Sequence, residues 1–164
     1  MSLFQKELAN IKNPAYGSTL IYCLGRGYER SNDSRSSIPL PVVFLAVPLL
    51  LDREVISTIK QTRLGIRAVA DKLSTNAKAG PDLLLSMPSR VASYRDFTVS
   101  CILVLLRTKL ASLVLQRGTL TIHPNDSFEN HANFPPETKE AEKLGGWLAQ
   151  LSLFEISSVI KVAL

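Results

Sequence analysis

Few residues in this 164-residue chain combine the types and spacing that chemistry needs. His123 and His131 bracket Asp126 and Glu129, a spacing from which a metal site or an acid–base pair can be imagined. Such a site needs ligands held in place by a surrounding shell of hydrogen bonds. Residues 124–136 are rich in Asn, Pro and Asp and read as a loop, so solvated loop histidines are the better reading. Cys23 and Cys101 each sit in an apolar run, which favours buried reduced thiols over a disulfide and points to the cytoplasm. Gly25-Arg26-Gly27 falls within a helical stretch rather than after a strand, so it does not read as a dinucleotide loop; no GxxxxGKS/T phosphate loop occurs. Glu137, Glu140 and Glu142 flank Lys139 and Lys143 and read as a solvated face with local ion pairs. No catalytic residue, cofactor or metal is expected, and the chain reads as non-enzymatic.

The basic residues offer a different chemistry. If a turn falls at Thr62-Arg63-Leu64-Gly65, the segment around it resembles a helix-turn-helix unit. Lys60, Arg63, Arg67 and Lys72 are then candidates for contact with a DNA backbone. Arg117, at the tip of an expected hairpin, is a further candidate, placed where a winged domain would touch phosphate. A long helix expected between the second helix and the hairpin departs from a simple winged helix. Five aromatics near expected element ends or loops, Tyr16, Tyr28, Phe134, Trp147 and Phe154, are candidates for a partner interface.

These side chains must be carried by elements that the pattern predicts. Residues 2–10 read as a short helix. Asn13-Pro14 reads as an N-cap followed by a first helical residue whose missing N–H needs no partner. Behind it, Tyr16, Leu20, Cys23, Leu24, Gly27 and Tyr28 share one helical face. Gly17, Gly25 and Gly27 lower its helix propensity, and their expected compensation is close approach of another backbone. Residues 31–37 read as a polar loop. Residues 38–51, IPLPVVFLAVPLLL, form either a helix opened by Pro41 and bent or ended by Pro48, or a strand over residues 42–47. Asp52 is expected to cap a helix over residues 53–61, with a second helix over 66–73. After a loop at 76–81, a long helix is expected from Pro88 to about Leu110. It is apolar on nearly every side around residues 99–106, which predicts the central buried helix.

Residues 112–116 and 119–123 are β-prone and separated by Arg117-Gly118, a two-residue hairpin signal. Residues 136–151 predict an amphipathic helix. Ser152 with Glu155 predicts a capping box on a last helix. The expected fold is mainly α with one small β-hairpin, an α+β class, in a compact helical domain with a helix-turn-helix or winged-helix-like portion. It forms a single domain over 1–164, with a helical core plus hairpin at 12–123 and a C-terminal helical pair at 136–164.

Composition bounds the function. The chain is 46% hydrophobic and 20% charged, with net charge +5, so it can bury a proper core. Its mean hydropathy of +0.13 hints at surface covered by a partner. Counted along the sequence, residues 1–120 hold 16 Lys/Arg and 8 Asp/Glu, whereas residues 121–164 hold 3 and 6. Two cysteines and two histidines exclude a Cys-rich zinc module. The longest apolar run contains three prolines and is shorter than the roughly 20 residues a membrane helix needs, so no membrane is expected. The first residues lack an apolar signal core, so secretion is not expected.

Three blocks then coincide. Asn13-Pro14-Ala15-Tyr16-Gly17 opens the first main helix. Ile38-Pro39-Leu40-Pro41 follows, with Phe44-Leu45 and Pro48-Leu49-Leu50-Leu51-Asp52. Ala141-Glu142-Lys143-Leu144-Gly145-Gly146-Trp147-Leu148 precedes a short terminal helix. In this order and over residues 12–160, the chain resembles the middle component of three-component ABC-ATPase systems, and most nearly the accessory subunit of Lamassu-type anti-phage defence. The resemblance implies a non-catalytic adaptor whose partners are an SMC-like ABC ATPase that senses DNA and an effector nuclease. The adaptor would help hold the effector inactive until DNA is engaged. A stand-alone helix-turn-helix DNA-binding protein and an enzyme using the His123–His131 loop are the competing expectations.

Overall fold

The computed structural model describes residues 13–32, 37–75, 82–130 and 134–163. The expected helix at 2–10 and the loop at 76–81 lie outside these residues, as do most of the loop at 31–37 and His131 itself.

The chain enters through α1 (Pro14–Ser31), where Asn13 accepts a side-chain hydrogen bond from the Ala15 N–H at 3.0 Å and Pro14 takes the first helical position. Helix α1 is the axis of the molecule, burying Leu20, Ile21, Tyr22, Cys23, Leu24 and Tyr28. Its most extensive partner is α9 (Thr138–Leu148), and α7 (Arg95–Arg107) packs on another side. A Cβ on Gly27 would fall on the Glu142 carbonyl, and one on Gly145 on the Leu24 carbonyl, so α1 and α9 cross backbone to backbone. The expected close approach therefore holds at Gly27. Gly17 and Gly25 make room instead for side chains, those of Cys101 with Phe97, and of Ile122.

The proline-rich segment resolves into two elements. β1 (Ile38–Pro39) is extended, and α2 (Leu40–Leu50) follows at once, so residues 42–47 are helix rather than strand. Pro41 lies in the first turn, where its missing donor costs nothing, and Pro48 in the last, where α2 stops. Asp52 caps α3 (Arg53–Gln61) by accepting from the N–H groups of Glu54 and Val55. Its other oxygen accepts from Arg90 at 2.7 Å, tying that cap to α6 (Met87–Ser93). Residues 62–65 turn the chain into α4 (Ile66–Thr75), and Gly65, at φ +106, supplies the positive φ. A one-turn α5 (Asp82–Leu85) precedes α6.

The long helix expected from Pro88 is divided at Tyr94 (φ −92, ψ 2) into α6 and α7. Nor is α7 the central helix. It buries Thr98, Cys101, Ile102 and Leu105 but leaves Val99 and Leu103 at 41% and 44% exposure. The physical reason is that α1 already fills the centre, so α7 can bury only one side.

β2 (Ala111–Val114) and β3 (Thr119–Ile122) pair antiparallel, Ala111 opposite Ile122 and Val114 opposite Thr119. Their connection is four residues rather than two, a 3-10 turn at Leu115–Arg117 closed by left-handed Gly118. β1 adds to the far side of β3, so the hairpin belongs to a three-stranded sheet ordered β1-β3-β2. The expected loop at 124–136 contains a one-turn α8 (Asp126–Glu129) capped by Asn125. After α9, Ser152 and Glu155 complete the expected capping box on α10 (Leu153–Ile160). The architecture is mainly α, ten helices among the described residues with one small sheet, around one continuous apolar cluster.

Candidate functional site

In the His123 region the described residues fasten α8 to α1. Residue 22, one turn before Arg26 on α1, places its phenol at the end of β3. The Tyr22 hydroxyl donates to Glu129 Oε1 at 2.8 Å and accepts from the Asn125 N–H at 3.0 Å. Arg26 Nε donates to the same Glu129 oxygen at 2.7 Å, and Arg30 Nη2 lies 3.5 Å from the other. Arg30 also pairs with Glu142 on α9. Burial pushes the Glu129 carboxyl up, but hydrogen bonds from Tyr22 and Arg26 and the nearby arginine charges outweigh it and hold the group below its ordinary range. Burial and the hydrogen bond to Glu129 push the Tyr22 phenol up to about 12. Glu129 is thus spent on clamping α8 to α1, while His123 and Asp126 are exposed. Among the described residues no group of three or more His, Cys, Asp or Glu is placed to hold a metal. Cys23 and Cys101 are free and buried, and burial raises both thiols to about 12.

The basic candidates divide. Lys60, Arg63, Arg67 and Lys72 all lie on the α3–turn–α4 unit and are exposed. Arg67 pairs with Glu155 at 2.9 Å, which binds the start of α4 to the start of α10. Lys72 Nζ donates to Thr62 Oγ1 at 3.0 Å and braces the turn. Lys60 and Arg63 project without an ion-pair partner among the described residues. Arg117 does the same from the hairpin, but the sheet packs on α1 and α7 while α4 packs on α3, α5, α9 and α10. The hairpin is therefore not a wing on the α3–α4 unit.

The aromatic candidates divide as well. Tyr28, at 7% exposure, belongs to the core and is not available to a partner. Phe134 is half-buried and ends an edge-to-face train with Phe128 and Tyr22, at ring separations of 5.1 and 4.9 Å. Trp147 is half-buried beneath Lys143, whose Nζ sits 5.0 Å from the ring and donates to the Ile59 carbonyl. Tyr16 is half-buried, and burial with the neighbouring Glu137 carboxylate raises its phenol to about 12. It opens onto a cleft of about 840 Å³ between the starts of α1, α3 and α9, floored by Leu50, Leu51 and Ile56 and reaching Lys60. Phe154 stands 80% exposed.

Sequence reasoning missed other exposed apolar side chains. Leu64, in the turn between Arg63 and Gly65, is 90% exposed, and Leu115, leading into the hairpin turn, is 80% exposed. With Phe154 beside Glu155, and Leu64 three residues before Arg67, the Arg67–Glu155 bridge joins two elements that each present an apolar residue to solvent. Val99 and Leu103 on α7 are exposed too, as is Leu85 at the end of α5, 64% exposed. Two signals were available: an apolar residue inside a turn, and a helix too apolar for the one face it could bury.

Among the described residues no helix is long and apolar enough to cross a membrane. No curated protein and no solved structure matches the chain. A family model does, over residues 1–164, and its description is ABC-three component (ABC-3C) system Middle Component 3. A surface that leaves large apolar side chains uncovered on several elements suits a component of such a system, and this chain belongs to the ABC-3C Middle Component 3 family.

Proposed function

We propose that this middle component is a non-catalytic adaptor in the cytoplasm. It bridges an SMC-like ABC ATPase that senses DNA and an effector nuclease, and it helps keep the effector inactive until DNA is sensed, as in Lamassu-type anti-phage defence. Membership in the family implies partner subunits. The observation that carries the bridging role is that exposed apolar side chains stand both at the linked α4 and α10 elements, Leu64 with Leu153 and Phe154, and on the packed α7 and β2 segment, Val99, Leu103 and Leu115, with Leu85 exposed as well at the end of α5. A subunit that touches one partner needs one such surface, and one that joins two needs both.

The test is co-purification with the ATPase and effector encoded beside it. Leu64→Asp with Phe154→Asp is expected to release one subunit and retain the other, and Leu103→Asp with Leu115→Asp the reverse. Recovery of the wild-type chain alone, or loss of the same subunit from both variants, would sink the bridging role.

A second reading, direct DNA contact by the α3–turn–α4 unit, is favoured by Lys60 and Arg63, which are exposed and unpaired among the described residues. It requires salt-sensitive binding of the isolated chain to duplex DNA, lost when Lys60, Arg63 and Arg67 are replaced together.

A further inference from the structure

We propose that the open edge of β2 receives an extended acidic–apolar segment of a partner subunit, which adds to the sheet as a fourth strand. The proposal rests on the adaptor reading and names the chemistry of one of its contacts.

The register decides which backbone groups face outward. The His123 N–H donates to the Leu110 carbonyl at 2.8 Å, in step with the Ala111–Ile122 pairing. Hydrogen-bonded pairs alternate along an antiparallel ladder, so Ser112–Thr121 and Val114–Thr119 are bonded pairs. Leu113 therefore directs its N–H and carbonyl away from β3, and β2 is the last strand on that side among the described residues. The opposite edge is different. There the Leu40 N–H donates to the Gly118 carbonyl at 2.8 Å, which makes Ile38–Leu120 a bonded pair and turns residue 39 outward. Residue 39 is proline and has no N–H to offer, so β1 is closed to a further strand. Of the two edges, only β2 carries an outward donor and an outward acceptor on one residue.

The surroundings identify the occupant. Edge strands that must stay free are blunted by inward-pointing charge, proline or cover. This one runs directly into Leu115, and α7 beside it exposes Val99 and Leu103. Residues 97–125 contain Arg107, Lys109 and Arg117 and no Asp or Glu. All three cations are exposed, and none has an ion-pair partner among the described residues. Main-chain pairing would supply the affinity, the exposed leucines would take apolar side chains, and the cations would select a segment flanked by Asp or Glu.

The experiment uses the full chain co-expressed with the ATPase and effector subunits, with residue-resolved hydrogen exchange in the free and assembled states. The Leu113 amide is expected to exchange at least tenfold more slowly in the complex, while Ser112 and Val114, already bonded to β3, change little. Lys109→Glu with Arg117→Glu is expected to weaken assembly at least tenfold at an unchanged melting temperature. A complex that forms while Leu113 exchanges at its free-chain rate overturns the edge proposal and leaves the adaptor reading standing. Undiminished assembly of the charge-reversed variant overturns it too. Failure of the wild-type chain to recover any partner overturns both.

Discussion

Glu129 shows how a single residue can carry a chemical-looking signal and a mechanical role. Its carboxylate is held charged by Tyr22, Arg26 and Arg30, and its pKa lies below the ordinary value. A carboxyl with a depressed folded pKa adds stability above its unfolded pKa, and that stability disappears as pH falls through the folded value. Glu129→Gln is therefore expected to cost about 1 kcal/mol at pH 7, the low end for a charge-assisted bond that water still reaches. The cost should fade as pH falls through the carboxylate range and vanish only below the depressed folded value, where the wild-type carboxyl is also protonated. Urea denaturation at pH 7 and below that folded value measures it, and an equal loss at both would refute the ionic role. Glu29 acts in the opposite sense. Burial raises its pKa, so its share of stability falls as pH rises through the carboxylate range, and Glu129→Gln leaves that slope in place. The sequence showed the His123–Glu129 spacing but not that arginines 99 and 103 residues away would claim the glutamate. Three local caps, by contrast, were legible, although that of Asn125 on α8 was not. Asn13, Asp52 and Ser152 each bind a backbone N–H two or three residues ahead, a contact that needs no tertiary information.

At the scale of elements, the α1–α9 crossing sets the architecture. Gly145→Ala would drive a methyl group into the Leu24 carbonyl and against the Tyr28 N–H, and backbone cannot rotate aside as a side chain can. An expected loss of about 3 kcal/mol places it at the upper end of overpacking substitutions. Thermal or urea unfolding checks this, and a loss under 1 kcal/mol would show that the helices can separate cheaply. α7 teaches the complementary lesson. Its sequence is apolar on nearly every side, yet it buries only the side carrying Thr98, Cys101, Ile102 and Leu105. Hydrophobicity says that a surface leaves water, not whether it does so within the chain or against another. The division at Tyr94 and the pairing of β1 with β3 were likewise invisible, since neither is set by neighbours in sequence.

At the scale of the whole molecule, the uneven charge has an internal use. Arg26, Arg30 and Arg67 from the basic first 120 residues pair with Glu129, Glu142 and Glu155 from the acidic remainder. The net charge therefore overstates what is free for an anionic partner. Of the five candidate DNA contacts, Lys60, Arg63 and Arg117 remain uncommitted to an ion pair or to the turn. Any binding of the isolated chain to duplex DNA should then show a log–log salt slope of about −3 or shallower, rather than about −4 to −5 for all five. Titration at several salt concentrations measures it, and the steeper slope would mean that DNA breaks the Arg67–Glu155 and Lys72–Thr62 contacts.

The sequence by itself determined the starts of α1, α3 and α10, the mainly α class, the hairpin and the family blocks. Each of these follows from interactions within a few residues or from apolar periodicity. Only the tertiary structure decided which apolar surfaces were left over, which charges were already paired, and which sheet edge stayed open. Those depend on competition for one centre. α1 occupies it, and every element that arrives later in the chain can bury only what α1 leaves uncovered.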